Sequence, residues 1–332
     1  MAFGEFDLIE TYFTHRLPQR DDVDLGIGDD GAIARVPENS ELVIVTDTMV
    51  EGVHFDRDTP ARALGHKVVA VNLSDLAAMG AEPAWISLAI TLPEINDDWL
   101  TGFAHGLREI CDYYNCQLIG GDTTQGPLSV TITAHGFVPT GKALRRSGAK
   151  PGDWIYVSGT LGDAGLALAA RQHRQQLSPD YQRKLTERLY FPSPRVALGQ
   201  SLRGIASSAI DVSDGLLADL RHILKASHVG ARLSVDEVPL SLALTESLTE
   251  EQALIYALTS GDDYELLFTV PEAQRGLFDT VTAHSPSKPV CIGRVTNEAE
   301  VVQLFHDDEP WQLPDITPGF EHFRSPADSS AE

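Results

Sequence analysis

The chain has 332 residues, room for two domains of ordinary size, and 42% of them are hydrophobic, the content of a packed globular protein. Its 25 Lys and Arg stand against 48 Asp and Glu, a net charge of −23 that excludes a broad electrostatic surface for nucleic acid or anionic membrane. A phosphate-bearing ligand must then be held through bridging cations or a few local Arg and Lys residues. The start, Met1-Ala2-Phe3-Gly4-Glu5, lacks a basic region followed by an apolar one, so no signal peptide is expected. The apolar-rich stretch over 68–92 is interrupted by Asn72, Asp75, Glu82 and Pro83, so no membrane-spanning helix is expected either. Cys111, Cys116 and Cys291 form no C-x-x-C pair, which points to free thiols in a reducing, cytoplasmic setting.

Residues 5–15 read as a short amphipathic helix, with Phe6, Ile9 and Phe13 at helical spacing. Next comes Leu25-Gly26-Ile27-Gly28-Asp29-Asp30-Gly31-Ala32, two adjacent carboxylates set between glycines. No Arg or Lys lies between Asp21 and Gly31, a segment with five aspartates, so a divalent cation is the natural partner. A solvated acidic turn is the alternative. Strands follow over 32–36 and 42–46, joined by the turn Pro37-Glu38-Asn39-Ser40, and the second ends in Thr46-Asp47-Thr48. Thr59-Pro60 opens a helix with Thr as N-cap, an apolar face of Leu64, Val68, Val71 and Leu76, and Gly80 at its C-cap. Asn72 and Asp75 project to one side of it. A strand over 86–92, a helix over 97–114 and a strand over 117–120 lead to Gly120-Gly121-Asp122-Thr123-Thr124, and a further strand spans 130–138.

The Gly- and Pro-rich segment 139–153 holds Lys142, Arg145, Arg146 and Lys150 and marks a boundary. It predicts domains over 1–140 and 150–324, with 325–332 as a frayed tail. The second half restarts with a strand over 154–157 and the loop Ser158-Gly159-Thr160-Leu161-Gly162-Asp163-Ala164-Gly165 ahead of a helix. A polar helical stretch runs to Arg188, and Pro192-Ser193-Pro194 introduces another helix. A strand over 209–212 meets Ser213-Asp214-Gly215-Leu216 at the head of a helix ending near Ser227. Ser260-Gly261-Asp262-Asp263-Tyr264-Glu265 precedes a strand over 266–270, then a helix and strands over 290–295 and 301–305. Alternating strands and helices in both halves predict α/β or α+β layers. Thr46-Asp47-Thr48 echoes Ser213-Asp214-Gly215, and Gly121-Asp122 echoes Gly261-Asp262, as two related domains or chance would produce.

The recurrent chemistry is an Asp at a strand end or beside a glycine: Asp30, Asp47, Asp122, Asp211, Asp214 and Asp262, with Asp75 facing inward from a helix. Such a set suits Mg²⁺, which takes oxygen ligands and bridges to phosphates; each Asp alone could be a helix N-cap. The 159–165 loop could offer backbone N–H groups to phosphate, though it lacks the Walker pattern and also reads as an ordinary strand–helix turn. Arg146 is a candidate phosphate clamp or a solvated linker charge. His54 is a candidate substrate contact or a structural histidine.

Seven segments together carry a resemblance. They are Gly26-Ile27-Gly28-Asp29-Asp30, Thr46-Asp47-Thr48, the run from Asn72 through Asp75 to Gly80, Gly120-Gly121-Asp122-Thr123, Arg146-Ser147-Gly148, Asp211-Val212-Ser213-Asp214-Gly215 and Gly261-Asp262-Asp263-Tyr264-Glu265-Leu266. In this order they resemble the thiamine-monophosphate kinase family of the aminoimidazole ribonucleotide synthetase superfamily, over nearly the whole chain. The resemblance implies an α/β (α+β) two-domain fold, a homodimer joined through the N-terminal domains, and ATP in a cleft with several Mg²⁺ ions. It implies direct in-line transfer from ATP to thiamine monophosphate, with no covalent or general-base residue. By the same resemblance Asp30, Thr46, Asp47, Asp75, Asp122, Asp211 and Asp214 would hold Mg²⁺, with Val45 contributing its backbone carbonyl. Gly121, Asp122, Arg146 and Ser213 would contact the nucleotide; His54, Asp262 and Phe320 would face thiamine monophosphate. Two positions depart from the family pattern: Val45 stands where Ser or Thr is frequent, and Asp262 where Glu is frequent.

Sister enzymes are the nearest rivals. A selenophosphate synthetase would carry a reactive Cys and a Lys near the N-terminus, and residues 1–24 contain neither. The hydrogenase-maturation relative ends in a Cys-bearing tail, where this chain reads Ser329-Ser330-Ala331-Glu332. An aminoimidazole ribonucleotide synthetase-like enzyme and a non-catalytic divalent-metal-binding protein remain as alternatives.

Overall fold

The computed structural model describes residues 4–14 and 18–314, so Phe320 and the tail from Ser325 lie outside the described residues. The N-terminal helix is short: α1 (Glu5–Leu8) runs into a π-helical turn over Ile9–Thr14. The acidic loop lies between β1 (Val23–Leu25) and β2 (Ile33–Ala34), which pair with each other. The run over 32–36 therefore forms a two-residue strand joined to β1 rather than a partner for the strand that follows.

That strand, β3 (Ser40–Val50), is followed by α2 (Ala61–Ala78), β4 (Glu82–Leu92), α3 (Asp97–Tyr114), β5 (Gln117–Gln125) and β6 (Ser129–Pro139). The sheet order is β3-β6-β4-β5. Only β4 and β5 run parallel in it, because α3 carries the chain back between them. Asp47 and Asp122, read as strand-end residues, instead lie within β3 and β5.

The second half contains β7 (Trp154–Val157), α4 (Asp163–Arg171), α5 (Pro179–Tyr190), α6 (Val196–Ser201), β8 (Ser208–Asp211) and α7 (Leu216–Ser227). It continues with β9 (Gly230–Ser234), α8 (Leu242–Ser247), α9 (Glu250–Thr259), β10 (Leu266–Val270), α10 (Arg275–Thr282), β11 (Val290–Thr296), β12 (Val302–His306) and β13 (Glu309–Trp311). Its sheet order is β13-β12-β9-β11-β7-β10-β8. β9, α8, α9 and β13 had no counterpart in the sequence reading. For α9 the signal was present: Thr249 and Gln252 form a reciprocal capping box.

Helix α2 joins the two halves. It packs on α3, β3 and β6 on one side and on α6, β8 and α5 on the other. Fourteen of its 18 residues are buried, so it is covered all round and not along the single apolar face that the spacing suggested. Its start also differs: Pro60, not Thr59, is the N-cap, and no side chain caps it. At the other end Met79, not Gly80, is the C-cap, and Gly80 follows it with φ +68° and donates to Ala77 O.

The α2–α3 contact is closest where glycines face backbone. A Cβ on Gly65 would lie 2.0 Å from Phe103 O, and one on Gly106 would lie 1.9 Å from Arg62 O. Gly65→Ala should therefore force the two helices apart and destabilise the chain by about 1–3 kcal/mol. Thermal melting checks this: the variant should melt below wild type, and an unchanged midpoint would mean that the helices separate freely.

Candidate active site

Strand alternation decides which β3 residues face α2. Val43, Val45, Asp47 and Met49 turn inward, while Leu42, Ile44, Thr46 and Thr48 stand on the exposed face. Asp47 there meets Asp75, from α2, and the two carboxyls lie close enough to interact by a side-chain hydrogen bond. From the second half, Asp211 closes β8, and Ser74 Oγ donates to its Oδ2 at 2.7 Å. Three carboxyls from three elements of both halves thus share one cleft.

Their electrostatics follow from crowding. Burial first, then the charges of Asp211 and Asp47, push the Asp75 carboxyl up to about 8, with Arg146 pulling the other way. Burial pushes Asp211 to about 6 against the Ser74 hydrogen bond, with Asp47 raising it and Arg146 lowering it. Asp47 is raised by burial and lowered by its bond to Asp75. Arg146 is the cation felt by both Asp75 and Asp211. Among the described residues its guanidinium makes no ion pair or side-chain hydrogen bond, and it is exposed.

A second wall is built by the loops after β8 and before β10. Asp262 N–H donates to Ser213 O at 2.8 Å, and Tyr264 N–H donates to Val212 O at 2.9 Å. The fit requires Gly261, since a Cβ there would lie 2.1 Å from Ser213 O. Asp219, from the first turns of α7, gathers the N–H groups of Ser213, Asp214 and Gly215 on its Oδ2 at 3.1, 3.0 and 3.1 Å. Burial, then Asp211 and Asp214, push Asp219 up to about 8 in spite of those donors. Behind the wall Glu265, fully buried, accepts from Ser158 Oγ at 2.6 Å and from Arg195 Nε at 2.6 Å. Lys67 of α2 donates to Asp262 at 2.5 Å.

The remaining sequence candidates are placed as follows. Val45 packs against the N-terminal core, and Thr46 Oγ1 pairs with Thr133 on the sheet's outer face, 3.0 Å away. Asp30 is exposed, its N–H donating to Asp29 Oδ1 at 2.8 Å. Gly121 and Asp122 are exposed on β5, the opposite sheet edge from β3. Three strand spacings put Asp122 about 14 Å from the β3 row in a single chain. His54 accepts from Val50 N–H through Nδ1 at 3.0 Å and closes the turn after β3. The 159–165 loop is not an open phosphate cradle, because the buried Asp263 carboxylate takes the Gly162 N–H at 2.7 Å and the Ala164 N–H at 3.4 Å. Among the described residues, three metal-ligand atoms within 4.8 Å of one another occur at Asp236, His306 and Asp307, not in the cleft. That cluster lies by β9 and β12, across the second sheet from Asp211.

Lys67, Ser74, Asp219 and Glu265 carry the cleft without having been singled out from sequence. A lysine followed directly by the apolar run Val68-Val69-Ala70-Val71 was the legible signal for Lys67, since lysine is rarely buried unless paired.

A carboxylate cleft between these two α/β halves defines a class: the chain belongs to the AIR synthase related protein family. The family's N-terminal domain model matches residues 28–138 and its C-terminal domain model matches residues 150–304. Within it the chain is one of the thiamine-monophosphate kinases. The thiamine-monophosphate kinase of Escherichia coli O157:H7 is 51% identical over 330 residues, covering 98% of this chain and 100% of the relative. The solved structure of thiamine-monophosphate kinase from Stenotrophomonas maltophilia K279a matches with a TM-score of 0.81 and 47% identity, over 88% of this chain and 93% of that one. AaThiL complexed with AMPPCP and TMP matches with a TM-score of 0.75 and 28% identity, over 97% of each chain.

The raised carboxyls fix how stability varies with pH. Asp75 keeps its proton in the folded chain up to about 8, while the unfolded chain releases it near 3.8, the ordinary value for an aspartate. Its contribution is therefore intact below the lower value and is lost as pH rises through the upper one. In chelator, Asp75→Asn, which has the same shape and no proton to lose, should show a shallower fall in melting temperature from pH 4 to pH 8. At pH 8 it should melt about 2 °C or more above wild type. A variant that melts lower at every pH would make Asp75 a structural hydrogen-bonding group instead.

Proposed function

We propose that this chain transfers the γ-phosphoryl group of ATP directly to the phosphate of thiamine monophosphate, giving thiamine diphosphate and ADP. The observation that carries this is the identity to thiamine-monophosphate kinase along nearly the whole chain. The relative of known structure that holds AMPPCP and TMP together fits the same two-substrate reaction. The acceptor oxygen belongs to an ionised phosphate, so no side chain need remove a proton, and positioning with charge neutralisation supplies the catalysis.

Mg²⁺ fits the donor set. The cleft offers oxygen ligands on three crowded carboxyls, more spread out than an all-protein cage and so open to phosphate oxygens. Asp47, Asp75 and Asp211 would hold the ions, with Asp214 beside them. Asp30, Val45, Thr46 and Asp122 would serve as further ligands, Val45 and Thr46 from beside Asp47 on β3. When bound, the ions offset the repulsion between the two anionic substrates and line up their phosphates. Asp219 fixes the Ser213–Asp214 backbone by its three accepted hydrogen bonds, and Ser74 fixes Asp211. Arg146, uncommitted beside the carboxyls, takes a nucleotide phosphate, with Gly121, Asp122 and Ser213 as the other nucleotide contacts. His54, Asp262 and Phe320 are assigned to thiamine monophosphate.

The chain acts as a homodimer in this reading. β3 is an eleven-residue edge strand whose outer face exposes Leu42 at 38% and Ile44 at 58%, a surface suited to pairing with a second copy. A cytoplasmic setting suits the three free cysteines, and no described helix is long and apolar enough to cross a membrane.

ADP release from ATP and Mg²⁺ should depend on thiamine monophosphate and yield thiamine diphosphate; product formation without that acceptor dependence would refute the assignment. Arg146→Ala should lower kcat/KM by about tenfold or more, and Arg146→Lys, which keeps the charge but not the planar fork, should lose less. Wild-type kinetics for Arg146→Ala would return that residue to a linker charge.

A further inference from the structure

We infer that Lys67 is a positioning residue for the acceptor: it holds the Asp262 carboxylate, at the mouth of the cleft, in the orientation that meets thiamine monophosphate. The inference rests on the kinase reading and on Asp262 as an acceptor contact. Lys67 is 5% exposed on a helix that is covered all round. Packing alone does not ask for an ammonium there, since an apolar side chain of similar volume in place of a buried ion pair is often neutral or stabilising. Its Nζ lies 2.5 Å from Asp262 Oδ2, and the two side chains are 7% and 31% exposed. The cation is thus sealed behind the carboxylate, and the carboxylate is the part that a ligand can reach.

The loop carrying Asp262 needs such a hold. Asp262 takes φ +73° and Tyr264 takes φ +51°, left-handed conformations that residues other than glycine keep only when their surroundings fix them. The Tyr264 hydroxyl bonds to Asp262 and lies in the field of Asp211 and Asp47, so the Lys67–Asp262 pair adjoins the carboxyls of the phosphate site. Thiamine monophosphate carries a cationic thiazolium, which a fixed carboxylate at that border complements. Lys67 holds that carboxylate in place and pointed outward. Because Lys67 comes from α2 and Asp262 from the second half, the acceptor contact also depends on how the halves meet.

Steady-state kinetics of the full chain test this with wild type, Lys67→Met, Asp262→Asn and the double variant. Lys67→Met should raise KM for thiamine monophosphate about tenfold and leave KM for ATP within about twofold. The double variant should match Asp262→Asn alone, since Lys67 acts only through that carboxylate. Lys67→Arg should recover part of the lost affinity. Equal rises in both KM values, additive effects of the two substitutions, or a wild-type KM in Lys67→Met would each overturn the inference. Should Lys67→Met not fold, Lys67→Gln carries the same comparison. A wild-type chain that does not turn over thiamine monophosphate would overturn the kinase reading instead.

Discussion

Carboxyl groups brought together out of water repel one another, and this chain brings together Asp47, Asp75 and Asp211 with one guanidinium within reach. In the folded chain that repulsion is met by retained protons, by the shared Asp47–Asp75 hydrogen bond and by the Ser74 hydroxyl. The surrounding framework keeps the groups from moving apart. β3 fixes Asp47 through a continuous ladder with β6, and Asp211 is paired opposite Leu266 in the second sheet. The same unfavourable crowding makes the cleft receptive to cations and, through them, to phosphates.

Everything in that arrangement passes through α2. One helix supplies Asp75 and Ser74 to the carboxyl cluster, Lys67 to the loop before β10, and Ala77 and Ala78 to the apolar contact with α6. A helix buried on all sides cannot adjust one of these contacts without moving the others. This explains why its closest neighbours are glycines and why its polar groups are nearly all paired. Asn72 shows the limit: Nδ2 donates to Val68 O at 3.0 Å, while its buried Oδ1 has no partner among the described residues.

The layer class and most elements were legible because long periodic runs announce themselves. The helix over Asp97–Tyr114 and the strands Trp154–Val157 and Leu266–Val270 lie where their patterns placed them. What sequence could not convey was facing. Thr46 and Asp47 are neighbours in one motif, yet alternation sends their side chains to opposite faces of the sheet. Asp122 shares a motif type with Asp47 but occupies the other sheet edge. The glycine loop over 159–165 has the composition of an anion cradle, and only the fold reveals that Asp263 already fills it. Lys67 was hidden for the complementary reason: its partner is 195 residues away in the chain.

The dependence on α2 also bears on how the chain is made. The side of α2 that receives β8 and α6 is finished only when residues 196–211 have been synthesised, well over a hundred residues after α2 itself. At roughly 5–20 residues per second, the first half waits on the order of ten seconds with that surface uncovered. During that interval Ala77, Ala78 and the half-built acidic cleft face solvent or whatever binds nascent chains. A slowed ribosome over 140–210 would lengthen that exposure.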